Sequence, residues 1–115
     1  MDRDEEVSEA TVTIGSGNVF ADLELDDAEE LLAKAKLLVA IKDILKQRKL
    51  TQIRAAKVMG IDQPRVSKLL RGRLTEFSTE ALMQYLVRLG SDVEILVHKP
   101  AAAGKTEGAL TVAYL

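Results

Sequence analysis

The sequence predicts a mainly α-helical domain of four to five helices that closes on a short C-terminal strand or hairpin. Three observations carry that expectation. Apolar residues recur at helical spacing from Leu31 to Leu45. Two short segments over 51–70 carry helix-start residues and are joined by Gly60. The apolar period then drops to two at Val93, Ile95 and Val97. At 115 residues the chain has room for one domain.

Composition removes several function classes. Hydrophobic residues at 47% and charged residues at 30% are ordinary for a soluble globular protein. The absence of cysteine excludes disulfides, thiolate zinc sites and cysteine nucleophiles. One histidine, His98, cannot build a multi-histidine metal site and leaves Ser-His-Asp chemistry a single candidate. No apolar run approaches the roughly 18 residues of a membrane span, the longest central one being 37–41. The acidic start over residues 1–6 is the reverse of a secretory leader. The expectation is a cytoplasmic protein that is not an enzyme, with no catalytic residues, cofactor or metal.

The net charge of −2 conceals a strong asymmetry. Residues 1–30 hold eleven acids against Arg3 alone, whereas residues 31–73 hold twelve bases against Asp43 and Asp62. The middle third is therefore a cationic block of the kind that binds polyanions. A solvated lysine-rich helix surface would look the same by charge alone.

Along the chain, residues 1–21 read as a flexible acidic segment around a Gly15-Ser16-Gly17 step, with a short β-prone run at 12–14. Val19, Phe20, Leu23 and Leu25 are apolar enough to dock on the domain or on a partner. The domain proper spans 22–99. Asp26 and Asp27 start a first helix that runs to about Lys49, with Glu29 and Glu30 at the positive end of its dipole. Leu31, Ala35, Leu38, Ile41 and Leu45, widened by Leu37 and Ile44, form its apolar stripe. Ser78 caps a later helix with a buried stripe of Leu82, Tyr85, Leu86 and Leu89, stopped by Gly90. A strand is expected over about 92–98. Residues 100–115 form a loop and a second short strand or tail at Leu110, Val112 and Tyr114. One hairpin leaves edge groups unpaired, which pairing with a second copy across a two-fold axis would satisfy.

The stretch 51–73 separates DNA binding from the bland reading of the charge. Thr51 caps one short helix, Ala56 is small where a second must cross, and Gly60 supplies the turn. Ile61 enters the core, Asp62 caps the next helix, and Pro64 falls in its first turn, where a missing N–H costs little. Val66, Leu69 and Leu70 bury the inner face. This spacing is a helix-turn-helix pattern. Its second helix then presents Gln63, Arg65, Ser67 and Lys68 outward, side chains suited to base edges in the major groove. Thr51, Gln52, Arg54, Arg71 and Arg73 lie where backbone phosphates would run. Charge block and spacing coincide on the same residues.

Residues 19–99 resemble the Cro/C1-type (XRE) helix-turn-helix family, in particular the branch of HigA-like antitoxins and their orphan relatives. The resemblance is carried by residues 17–23, Leu50-Thr51-Gln52, residues 60–67 with their Gln-Pro-x-Val-Ser core, Leu70-Arg71-Gly72-Arg73, Phe77-Ser78 and residues 92–95. It implies a Cro/C1-repressor-like fold and a homodimeric repressor that binds a double-stranded operator at its own promoter. The same family often sits beside a gene for an mRNA-cleaving toxin, so a basic RNase-type toxin is an implied partner. By the family's pattern Gln63, Arg65, Ser67 and Lys68 face bases, while Gln52 and the Arg71–Arg73 corner hold backbone. Residues 1–16 and 100–115 match no motif. The acidic residues 1–30 have the sign needed to cover a basic toxin surface, as well as that of a solubilising tail.

Other readings are weaker. Gly104-Lys105-Thr106 resembles the end of a phosphate loop, but Lys99 stands where its first glycine belongs. Gly15-Ser16-Gly17-Asn18 lacks the glycine spacing of such a loop. His98 reads as a surface residue at a strand end, Met59 and Met83 as core filler, and Phe20 and Phe77 as packing beneath the helices. A different class of function is an interaction adaptor that keeps the fold without reading DNA. Gln63, Arg65 and Lys68 on the outer face argue against it.

Overall fold

The structure, a computed structural model, describes residues 27–100 and 107–115. The described residues form four α-helices: α1 (Asp27–Gln47), α2 (Gln52–Met59), α3 (Gln63–Leu70) and α4 (Thr79–Arg88). A 3-10 turn, Leu74–Glu76, separates α3 from α4. The expectations for the 1–21 segment, the 19–25 apolar cluster, Asp26 and Gly104-Lys105-Thr106 lie outside the described residues.

Each short helix begins where its sequence says it should. The first-turn N–H groups lack intrahelical partners, and an oxygen-bearing side chain just before the helix supplies one. The Arg54 N–H donates to Thr51 Oγ1 (3.2 Å), the Arg65 N–H to Asp62 Oδ1 (2.8 Å) and the Ala81 N–H to Ser78 Oγ (3.0 Å). Gly60 ends α2 at φ 78°, a left-handed conformation that side chains resist. Helix α1 instead turns over Lys49 at φ 55°, closed by the Leu50 N–H donating to the Leu45 carbonyl (3.0 Å).

Helix α1 is the spine of the core. It packs against α4 and the 3-10 turn, while α2 packs against α3 and α4. Ile41, Met59, Val66, Leu69 and Leu82 are the largest fully buried side chains. Full burial of such a residue contributes about 1.5–3 kcal/mol. The expected α4 stripe is buried throughout, and Phe77 packs edge-on against Tyr85 with ring centroids 6.3 Å apart. Ile61, Leu70 and Met83 are half-buried against the core rather than inside it.

Two expectations about α1 need correction. Leu31 is exposed and Ala35 only half-buried, because the buried stripe runs through Ala33, Leu37, Ala40 and Ile44 as well as Leu38, Ile41 and Leu45. Lys34 is buried, and so does not belong to the cationic surface. Its ammonium lies 3.5 Å from Glu30 and donates to the Leu74 carbonyl (3.4 Å), tying α1 to the 3-10 turn.

The expected strands at 92–98 and 110–114 are absent among the described residues. Both stretches are irregular. Alternating apolar residues define two faces, but a strand also needs a backbone partner, and the described residues do not provide one. Val93 and Val112 reach the core from these stretches, whereas Ile95, Leu96 and Val97 stand exposed. The C-terminal stretch follows α1 instead: the Leu110 N–H donates to Glu29 Oε2 (3.2 Å) and the Tyr114 hydroxyl donates to Asp43 Oδ2 (2.6 Å).

Candidate nucleic-acid interface

The site is built on α2, α3 and the corner that follows α3. With Val66 and Leu69 fully buried, the opposite side of α3 is turned away from the core by helical geometry. Gln63, the first residue of α3, is exposed next to the Asp62 cap. Arg65, Ser67 and Lys68 follow, each half-exposed. Arg71 and Arg73 are exposed beyond the helix end, and Gly72 between them turns the chain at φ 88°. On α2, Thr51 is the cap, Gln52 the first residue, and Arg54 is exposed two residues further on. All nine sequence-predicted residues thus fall on one helix-turn-helix unit, each with some solvent exposure.

Contacts within the site show how it is held. The Arg71 guanidinium donates to Ser67 Oγ (3.2 Å). The Arg65 guanidinium lies 4.4 Å above the Phe77 ring centroid and donates to the Glu76 carbonyl (3.2 Å). Arg65 is therefore stacked and oriented rather than free. A planar guanidinium suits such stacking and keeps its remaining N–H groups for another acceptor.

Sequence reasoning missed Glu76. Its carboxylate approaches both Lys68 Nζ (3.4 Å) and Arg73 Nη1 (3.7 Å). The signal was present: an acid three residues after Arg73, in helical i,i+3 register, and the sole acid between residues 63 and 79. Arg48 and Arg88 also belong to the frame. Arg48 Nη1 donates to the Leu89 carbonyl (3.0 Å), and Arg88 Nη1 donates to the Met59 carbonyl (3.5 Å) beside Gly60. Both join the end of α4 to the elements preceding α3.

No group of three or more metal-ligating side chains gathers among the described residues, and His98 is exposed there. None of the described helices is long and apolar enough to cross a membrane.

A capped, basic second helix projecting from a four-helix core defines a helix-turn-helix DNA-binding regulator. Comparison with known proteins agrees: residues 19–98 match the helix-turn-helix domain family, and the chain belongs to it. A solved structure described as an XRE family transcriptional regulator superposes with a TM-score of 0.70 at 36% sequence identity. The match covers 78% of this chain and 100% of that one. The fold is thus of the XRE type. No curated protein matches the sequence.

Proposed function

We propose that the protein is a sequence-specific repressor that binds an operator at its own promoter as a homodimer. The observation that carries this reading is the division of α3. Val66 and Leu69 are sealed in the core while Gln63, Arg65, Ser67 and Lys68 keep solvent access. A helix face with that side-chain set suits the major groove. Gln pairs with adenine, Arg or Lys with guanine, and Ser with either partner type. Thr51, Gln52, Arg54, Arg71 and Arg73 take backbone phosphates and set the register.

Support for the dimer comes from the irregular stretches 91–100 and 107–115. They leave Ile95, Leu96 and Val97 exposed and their backbone without a strand partner among the described residues. A second copy can pair with such edges. Light scattering at micromolar concentration tests it, and a clean monomer refutes the dimer. The resemblance to HigA-like antitoxins extends the reading to a basic RNase-type toxin, for which the acidic residues 1–30 have complementary charge. Co-purification with the product of an adjacent gene tests that extension, and it fails if no such complex forms.

The test of DNA binding is a mobility-shift titration against the DNA upstream of the protein's own gene. Specific retardation that weakens steeply with salt is expected. Arg65→Ala should relax base preference at a cost of about 1–3 kcal/mol, whereas Arg73→Ala should weaken all sequences alike. If both leave binding unchanged, the assignment of the outward face is wrong.

A further inference from the structure

One acid sits inside the cationic face. Glu76 ends the 3-10 turn with Lys68 Nζ 3.4 Å from Oε1 and Arg73 Nη1 3.7 Å from Oε2, while its backbone carbonyl accepts from Arg65. Three of the nine predicted DNA-contacting side chains therefore converge on one residue. The carboxylate and its two cationic partners are open to water, with side-chain exposures of 41% for Lys68, 57% for Arg73 and 38% for Glu76. Ion pairs this exposed contribute little to folding. Their effect falls instead on whatever else approaches those two cations.

We propose that Glu76 is a specificity-determining residue: an internal counter-charge that holds Lys68 and Arg73 back from DNA phosphates and suppresses sequence-independent binding. The inference rests on the DNA-binding reading above. Lys68 faces bases only in the specific register; in complexes without register it meets phosphates as Arg73 does, and a phosphate that reaches either cation displaces the carboxylate or lies against it, both unfavourable. Non-specific complexes draw essentially all their affinity from phosphate contacts. They lose a larger share to this competition than a complex that adds base-edge contacts from Gln63 and Arg65. The stacking of Arg65 on Phe77 beside the same turn keeps that side chain oriented while the carboxylate engages the other two cations.

The test compares the full-length chain with Glu76→Gln on three probes: a duplex from the upstream region, a scrambled duplex of equal length, and immobilised heparin. Circular dichroism and thermal unfolding confirm that the variant is folded. Glu76→Gln should bind the scrambled duplex roughly threefold to tenfold tighter, with a salt slope steeper by about one. The upstream duplex should gain less, so that the ratio between the two falls. Heparin should release the variant at higher salt, and the gain should vanish in the Lys68→Ala/Arg73→Ala background. Unchanged affinity for the scrambled duplex and heparin overturns the proposal. So does selective weakening on the upstream duplex, because Glu76 would then be accepting a hydrogen bond from a cytosine amino group. If the unsubstituted chain retards no duplex, the DNA reading fails on its own. The heparin arm still decides the counter-charge, later release of the variant supporting it and unchanged release refuting it.

Discussion

Arg65 and Phe77 couple the outward face of α3 to the core, and a double-mutant cycle measures that coupling. Phe77 is 2% exposed, lies edge-on to Tyr85, and has the Arg65 guanidinium 4.4 Å from its ring centroid. Phe77→Leu keeps an apolar side chain of similar volume, which limits the packing loss to below about 1.5 kcal/mol. It also removes an aromatic pair worth about 0.5–1.5 kcal/mol and a partly exposed cation–π contact worth about 0.5–1 kcal/mol. The expected total is about 1–4 kcal/mol. Arg65→Ala removes the same cation–π contact and a solvent-accessible hydrogen bond to the Glu76 carbonyl, an expected loss of about 1 kcal/mol. Because the cation–π contact is counted in both, the double variant should be less destabilised than the sum by about 0.5–1 kcal/mol. Urea unfolding followed by circular dichroism gives all four stabilities, provided each transition is two-state. Strict additivity would refute the stacked geometry and leave Arg65 a free side chain. Arg65→Lys is a useful control, since it retains the charge without the planar fork.

Three further predictions follow from single sites. Gly60→Ala should destabilise by about 1–2 kcal/mol, because a side chain at φ 78° is strained and its Cβ would displace the end of Arg88; an unchanged urea midpoint would contradict the left-handed turn. Thr79 is 4% exposed with a buried hydroxyl that finds no partner among the described residues, so Thr79→Val should be neutral or stabilising by up to about 1 kcal/mol. A loss larger than that would mean the hydroxyl is satisfied. The hydrogen bond to Asp43, with smaller contributions from desolvation and the carboxylate's charge, holds the Tyr114 phenol above its ordinary ionisation range. Its contribution to docking the C-terminal stretch is therefore complete below about pH 10 and lost as pH rises through the folded value. Phenolate absorbance should show Tyr114 ionising above the ordinary tyrosine range, and Tyr114→Phe should remove that phase while increasing amide exchange around residues 110–114.

What could be read from the chain alone was mostly local. The caps at Thr51, Asp62 and Ser78, the left-handed Gly60 and the early Pro64 each answer a requirement within three or four residues of themselves. Their spacing alone defines α2 and α3, and with them the positions of the nine candidate DNA-contacting residues. Helical periodicity did the same for α4, because Leu82, Tyr85, Leu86 and Leu89 have one face to bury.

Only the assembled fold decided features that depend on partners distant in sequence. Lys34 looked like one more surface cation, but the 3-10 turn forty residues later supplies a carbonyl that permits its burial beside Glu30. The alternation at 92–98 and 110–114 specified faces without a neighbouring backbone, and the C-terminal stretch found side chains of α1 instead. The path of the chain after Gly72 likewise brought Glu76 back against Lys68 and Arg73 and seated Phe77 beneath Arg65. Hydrogen-bonding needs and helical period act along the chain and leave marks in it. Ion pairing, stacking and strand pairing act through space, so they become definite only when the packing brings the partners together.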